Sequence, residues 1–93
     1  MLFFINSRIN PGVTNDQVIA HLERDIDKDE WELIKKGLIQ HWFFKVGDPP
    51  GVIALVNCDS IDEVRELVNS APAVKEGLLT FDIDPVNRFP QFD

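Results

Sequence analysis

The stretch "LIQHWFFKVGDPPGVIALVNC", Leu38 to Cys58, holds two apolar runs around a short break. The first, "LIQHWFFKV" (Leu38 to Val46), and the second, "VIALVNC" (Val52 to Cys58), are rich in aromatic and β-branched residues, which fit a pleated, half-buried surface. The break, "GDPPG" (Gly47 to Gly51), has two prolines that remove backbone donors and two glycines that permit positive φ. So short a link makes the two runs a hairpin, strands 2 and 3. His41 stands inside the first run, beside Trp42.

Working outward, "LFFINSRI" (Leu2 to Ile9) reads as strand 1, ended by "NPG". "TNDQ" is a capping box with Thr14 as N-cap and Gln17 at N3. Ile19, Leu22, Ile26, Leu33 and Ile34 then recur at helical spacing, and Gly37 is a natural stop. Helix 1 is therefore expected from Asn15 to about Lys36, with Trp31 beside the main stripe. "SIDE" is a second capping box, Ser60 to Glu63, opening a helix 2 with Ile61, Val64, Leu67 and Val68 on its apolar face. "NSAPAVKEG" ends it, "LLTFDID" (Leu78 to Asp84) is strand 4, and residues 85–93 read as an extended C-terminal tail. The order β-α-β-β-α-β is that of a ferredoxin-like α+β fold, a four-stranded antiparallel sheet with two helices on one face. At 93 residues the chain is expected to be one domain.

One face of such a sheet meets water and should alternate with polar residues. Here Val52 to Val56 has no polar break. Strict alternation in strand 2 puts Leu38, Trp42, Phe44 and Val46 on one face, and Ile39, His41, Phe43 and Lys45 on the other. Phe4 opposes Phe3 and Ile5 in strand 1. Both faces look buried, which predicts a homodimer with two sheets packed face to face about a two-fold axis. Phe89 and Phe92 of the tail are placed to lie across the partner.

The apolar content of 44% suits a soluble protein, and no apolar run approaches the ~20 residues of a membrane span. "MLFFINSR" lacks the basic start of a secretory signal, and Cys58 has no second cysteine to pair with, so a cytoplasmic protein is expected. The net charge of −7 argues against nucleic acid and anionic membranes as partners. Much of that charge lies in "ERDIDKDEWE", either a solvated helix face or the source of one inward carboxylate. His21, His41 and Cys58 have no metal-ligand spacing, and no phosphate-cradling glycine loop or nucleophile motif is present.

His41 is the first candidate for chemistry, because an imidazole takes and returns protons near neutral pH. If it faced the helices, a helix 1 carboxylate, Asp25 or Glu23, would orient it. The plain alternative is a core or interface histidine satisfied by a backbone carbonyl. Trp42 and Phe43 point to opposite faces, one toward a pocket under the helices and one toward the dimer core. Asn6, Arg8 and Asn57 are polar residues within strands. They meet water at strand ends or, facing inward, bind a carbonyl or enolate oxygen. His21 lies off the helix 1 stripe and is expected to face solvent, and Cys58 reads as a small buried hydrophobe.

"MLFFI", "G-LIQHWFFKV-G" with His41 between Gly37 and Gly47, and "FDIDPVNRFP" with Arg88 and Pro90 together resemble the muconolactone isomerase-like family of the dimeric α/β-barrel superfamily. The resemblance covers most of the chain. It implies a cofactor-free isomerase of aromatic catabolism that moves a proton on an unsaturated lactone, and an assembly of dimers into larger rings. It places His41 in a substrate pocket and gives Arg88 a substrate carboxylate to hold, with Arg8 as an alternative residue for an anion on this chain. Where that family carries a lysine and a glutamate on the first helix, this chain aligns Glu23 and Ile26, with Asp25 and Asp29 within a turn. Two further functions follow from the same fold: a polyketide-type cyclase or cofactor-free oxygenase, and a non-catalytic dimeric small-molecule-binding or assembly protein.

Overall fold

The computed structural model describes residues 1–23 and 34–88. Its elements are β1 (Leu2–Ile9), α1 (Asn15–Leu22), β2 (Ile39–Lys45), β3 (Gly51–Asn57), α2 (Ile61–Asn69), a single turn α3 (Pro72–Lys75) and β4 (Leu79–Val86). The strands form one antiparallel sheet in the order β2-β3-β1-β4, the ferredoxin-like topology.

Alternation in the two central strands decides which side is core. Phe3 and Ile5 pair with Val56 and Ala54, and these four are buried beneath Val64 and Val68 of α2, with Ile61, Leu67, Phe81 and Ile83 around them. A second cluster, Val18, Ala73 and Leu79, fastens α1 to α3 and the start of β4. Both predicted caps form. The Gln17 amide donates to Thr14 Oγ1 while Gln17 Oε1 accepts from the Thr14 amide. Ser60 Oγ accepts from the Glu63 amide, but Glu63 Oε2 reaches the amide of Asp59 rather than that of Ser60. Gly37 has the positive φ of 79° expected of a helix-ending glycine.

Several details differ from the sequence reading. In α1 the buried residue is Val18, and Ile19 is exposed. The helix expected to Lys36 is described only through Leu22 and again at Ile34 and Lys35, so Ile26, Trp31 and Leu33 lie outside the described residues. β2 has a register shift between Ile39 and His41, with Ile39 opposite Val56 and His41 opposite Leu55. The extra residue turns Ile39 to the helix side with Trp42, not to the side of His41. β4 continues through Pro85 and Val86, which pair with Phe3 and Leu2. It is an edge strand, where a proline's missing donor is tolerated.

Neither Gly47 nor Gly51 has positive φ. Gly51 is needed for room instead: a Cβ there would collide with Ser7 Oγ and stand 2.9 Å from Lys45 Cε. The β1–β3 ladder ends at Asn6 and Ile53, and the buried Ser7 Oγ accepts the next amide proton, from Val52, at 2.8 Å. That bond satisfies the one polar side chain buried in β1.

Candidate functional site

The sheet face away from the helices is crossed by rows of side chains that the register fixes. One row runs His41, Leu55, Phe4, Asp84 from β2 to β4, and the next runs Phe43, Ile53, Asn6, Asp82. His41 is exposed, and its ring lies parallel to that of Phe43 with centroids 6.2 Å apart. Phe43 is 59% exposed, while Phe4, Ile53 and Leu55 are half-buried. Lys45 Nζ spans the side-chain gap at Gly51, donating to Asn6 Oδ1 and to the Ser7 carbonyl, each at 2.9 Å. Arg8 Nε donates to Asp82 Oδ2 at 2.8 Å. The centre of this face is thus apolar, with cationic and imidazole groups along β2 and carboxylates along β4.

The structure brings His41, Phe43, Asn6 and Arg8 onto this one face. It does not bring them together with the other expected site residues. Trp42 is on the opposite side, half-buried against the core. Glu23 is the exposed C-cap of α1, also on the helix side, so His41 does not look toward that carboxylate. Arg88 is exposed just past β4, its amide donating to Asn87 Oδ1 at 3.0 Å. Asp25 lies outside the described residues.

On the helix side, α2, α3 and β4 enclose an open groove of about 370 Å³, lined by Arg65, Val68, Asn69, Val74, Thr80, Phe81 and Ile83. Its walls mix apolar and polar groups. Arg65 stands at the rim, Nη1 donating to Asp62 Oδ1 at 3.2 Å. None of the residues expected to form the site lines it. The sequence carried only a faint sign of it: Arg65 and Asn69 sit four apart, on the flank of the α2 stripe.

Two other titratable groups have structural places. His21, expected in solvent, has a side chain only 14% exposed, with Nδ1 2.8 Å from Glu76 Oε2. The contact does not have the alignment of a hydrogen bond, and it brings α1 against the end of α3. Cys58 is buried as expected. Burial pushes its thiol above the usual range; the Glu63 and Asp59 carboxylates push the same way, and the N-terminal amino group opposes them. A raised thiol pKa means little thiolate near neutral pH. Native protein at pH 8 is therefore expected to react with a disulfide reagent far more slowly than protein in denaturant. Equal rates would show that Cys58 is accessible.

No protein-family model and no curated protein matches the chain. Among solved structures, the fold is similar to that of 5-chloro-2-hydroxyhydroquinone dehydrochlorinase from Burkholderia phenoliruptrix, determined in complex with 2,5-dihydroxybenzoquinone. The TM-score is 0.71 at 22% identity, over 98% of this chain and 98% of that one. The likeness is one of fold.

Proposed function

We propose that the chain is a small cofactor-independent enzyme of the muconolactone isomerase-like kind, acting in the cytoplasm as a homodimer or a ring of dimers. Its reaction is proton transfer on an unsaturated lactone or another oxygen-rich, aromatic-derived acid. The observation that carries this reading is the whole-length fold likeness to an enzyme acting on a chlorinated hydroxyhydroquinone. Shifting a double bond in a lactone and eliminating HCl from such a ring both begin with removal of a proton from a conjugated, oxygen-bearing substrate. An accessible imidazole beside an apolar surface suits that step, and His41 has both.

The open face supports pairing. Phe43, Phe4, Ile53 and Leu55 leave apolar area in water, and a large apolar side chain fully buried contributes roughly 1.5–3 kcal/mol. Arg8 and Asn6 on the same face, and Arg88 past β4, are the groups proposed to hold the substrate's anionic oxygens. Trp42 is a wall of the helix-side core, and Glu23, on that same side, does not partner His41 in this reading. A non-catalytic dimeric binder competes with it. That reading rests on Glu23, an exposed carboxylate where the resembled family has a lysine.

The test is a spectrophotometric assay of purified protein on muconolactone and on 5-chloro-2-hydroxyhydroquinone. Turnover of either well above the buffer rate is expected. Folded dimer that turns over neither substrate would reject both reactions and leave the binding role.

A further inference from the structure

We propose that the partner subunit supplies the carboxylate that His41 lacks in its own chain, and that this carboxylate is Asp84. The inference rests on the reading that the chain pairs through its open face. Among the described residues His41 makes no hydrogen bond or ion pair, and neither does the side chain of Asp84. Asp82, by contrast, is already held by Arg8. His41 and Asp84 end the same row, on the two edge strands.

Two sheets can meet face to face about a two-fold axis running along the strands or across them. An axis across the strands reverses height along them and sets β4 over the partner's β4, the edge of Asp82 and Asp84 against its own copy, and β2 over β2, the edge of Lys45 against its own. Carboxylates then oppose carboxylates at one edge and lysines oppose lysines at the other. An axis along the strands sets β2 over the partner's β4, so that the His41 and Lys45 edge covers the acidic edge twice. Charge complementarity selects the second. A rotation about that axis also leaves height along the strand unchanged, so each row meets itself reversed. His41 then lies over Asp84 of the partner subunit, and Asp84 over the partner's His41. Packed sheets stand ~10 Å apart, a gap that an imidazole from one side and a carboxylate from the other can bridge. Asp84 is thus a positioning residue: it accepts a hydrogen bond from one ring N–H and leaves the other nitrogen to face substrate.

Cysteine cross-linking tests the geometry without requiring activity. Within one chain, positions 41 and 84 are three strand spacings apart, ~14 Å. Across the interface their Cα atoms are ~10 Å apart, beyond the ~7 Å limit of a disulfide, but the two side chains point toward each other, so a short thiol-bridging reagent such as dibromobimane reaches both there and not within one chain. His41→Cys/Asp84→Cys is expected to form a covalent dimer on treatment with that reagent, whereas His41→Cys alone and Asp84→Cys alone are not. Cross-linking of His41→Cys alone would overturn the proposal in favour of the other axis. So would a double variant that sediments as a dimer and does not cross-link. Wild-type protein that sediments as a monomer would overturn the pairing itself, whatever the activity assay shows. A role test accompanies the geometric one. Mixing inactive His41→Ala with inactive Asp84→Asn should restore roughly a quarter of wild-type turnover, since half the dimers are mixed and each carries one intact site. No restoration from mixed dimers would count against a shared site.

Discussion

Phe3→Ala is expected to destabilise the protein by ~3–5 kcal/mol, the range for removing a fully buried aromatic ring. Phe3 is 1% exposed, on a central strand between Val56 of β3 and Pro85 of β4. Its ring belongs to the cluster that joins the sheet to Val64 and Val68 of α2. The cavity would open where the sheet and α2 meet, at the centre of a close-packed region with little freedom to collapse. Small domains have about 5–15 kcal/mol in all, so this one change removes a large fraction of the margin. The measurement is urea unfolding at one fixed protein concentration, because pairing makes apparent stability depend on concentration. Val46→Ala is the control. That side chain is 98% exposed, so its loss should leave unfolding nearly unchanged. A midpoint shift for Phe3→Ala no larger than for Val46→Ala would show the core to be wrongly placed.

That contrast marks how far the sequence could be read. The strands and caps were legible because they rest on short-range physics: β1 runs from Leu2 to Ile9 as its composition predicts, and Thr14 and Ser60 cap their helices. The side of the sheet on which His41 lies was not legible. Both faces of β2 are apolar, so alternation has no polar marker to fix its phase, and the extra residue near Gln40 resets that phase without a glycine or proline to announce it. Val18 and Ile19 are adjacent apolar residues at the start of α1. Which one turns inward depends on how the helix sits against Ala73 and Leu79, far away in sequence. Gly51 looked like a turn glycine because it follows two prolines. Its true constraint is a contact with Ser7, which no local pattern encodes. The groove by Arg65 has the same origin, since its walls come from three elements that only the fold brings together.

His41→Ala is expected to lower turnover by ~10²–10⁴-fold, the usual contribution of a positioned acid–base group, with folding and pairing retained. The side chain is exposed within a protomer, so its removal opens no cavity in the core. The loss should fall on kcat more than on KM, because a proton-transfer group acts in the transition state while substrate is held by other residues. Sedimentation of the variant separates this from a role in assembly: inactive dimer supports proton transfer, and inactive monomer places the imidazole in the interface alone. Unchanged turnover would remove His41 from the chemistry altogether. The position itself argues for a task. An imidazole at the end of a row whose centre is apolar seals a sheet-to-sheet contact less well than leucine would, and burying its polar nitrogens is costly unless they are bonded. Leu55 and Phe4 at the centre of the row need no partner. His41 and Asp84 at its two ends do, and a carboxylate from the facing subunit would meet the need of the imidazole while leaving one nitrogen free to carry a proton.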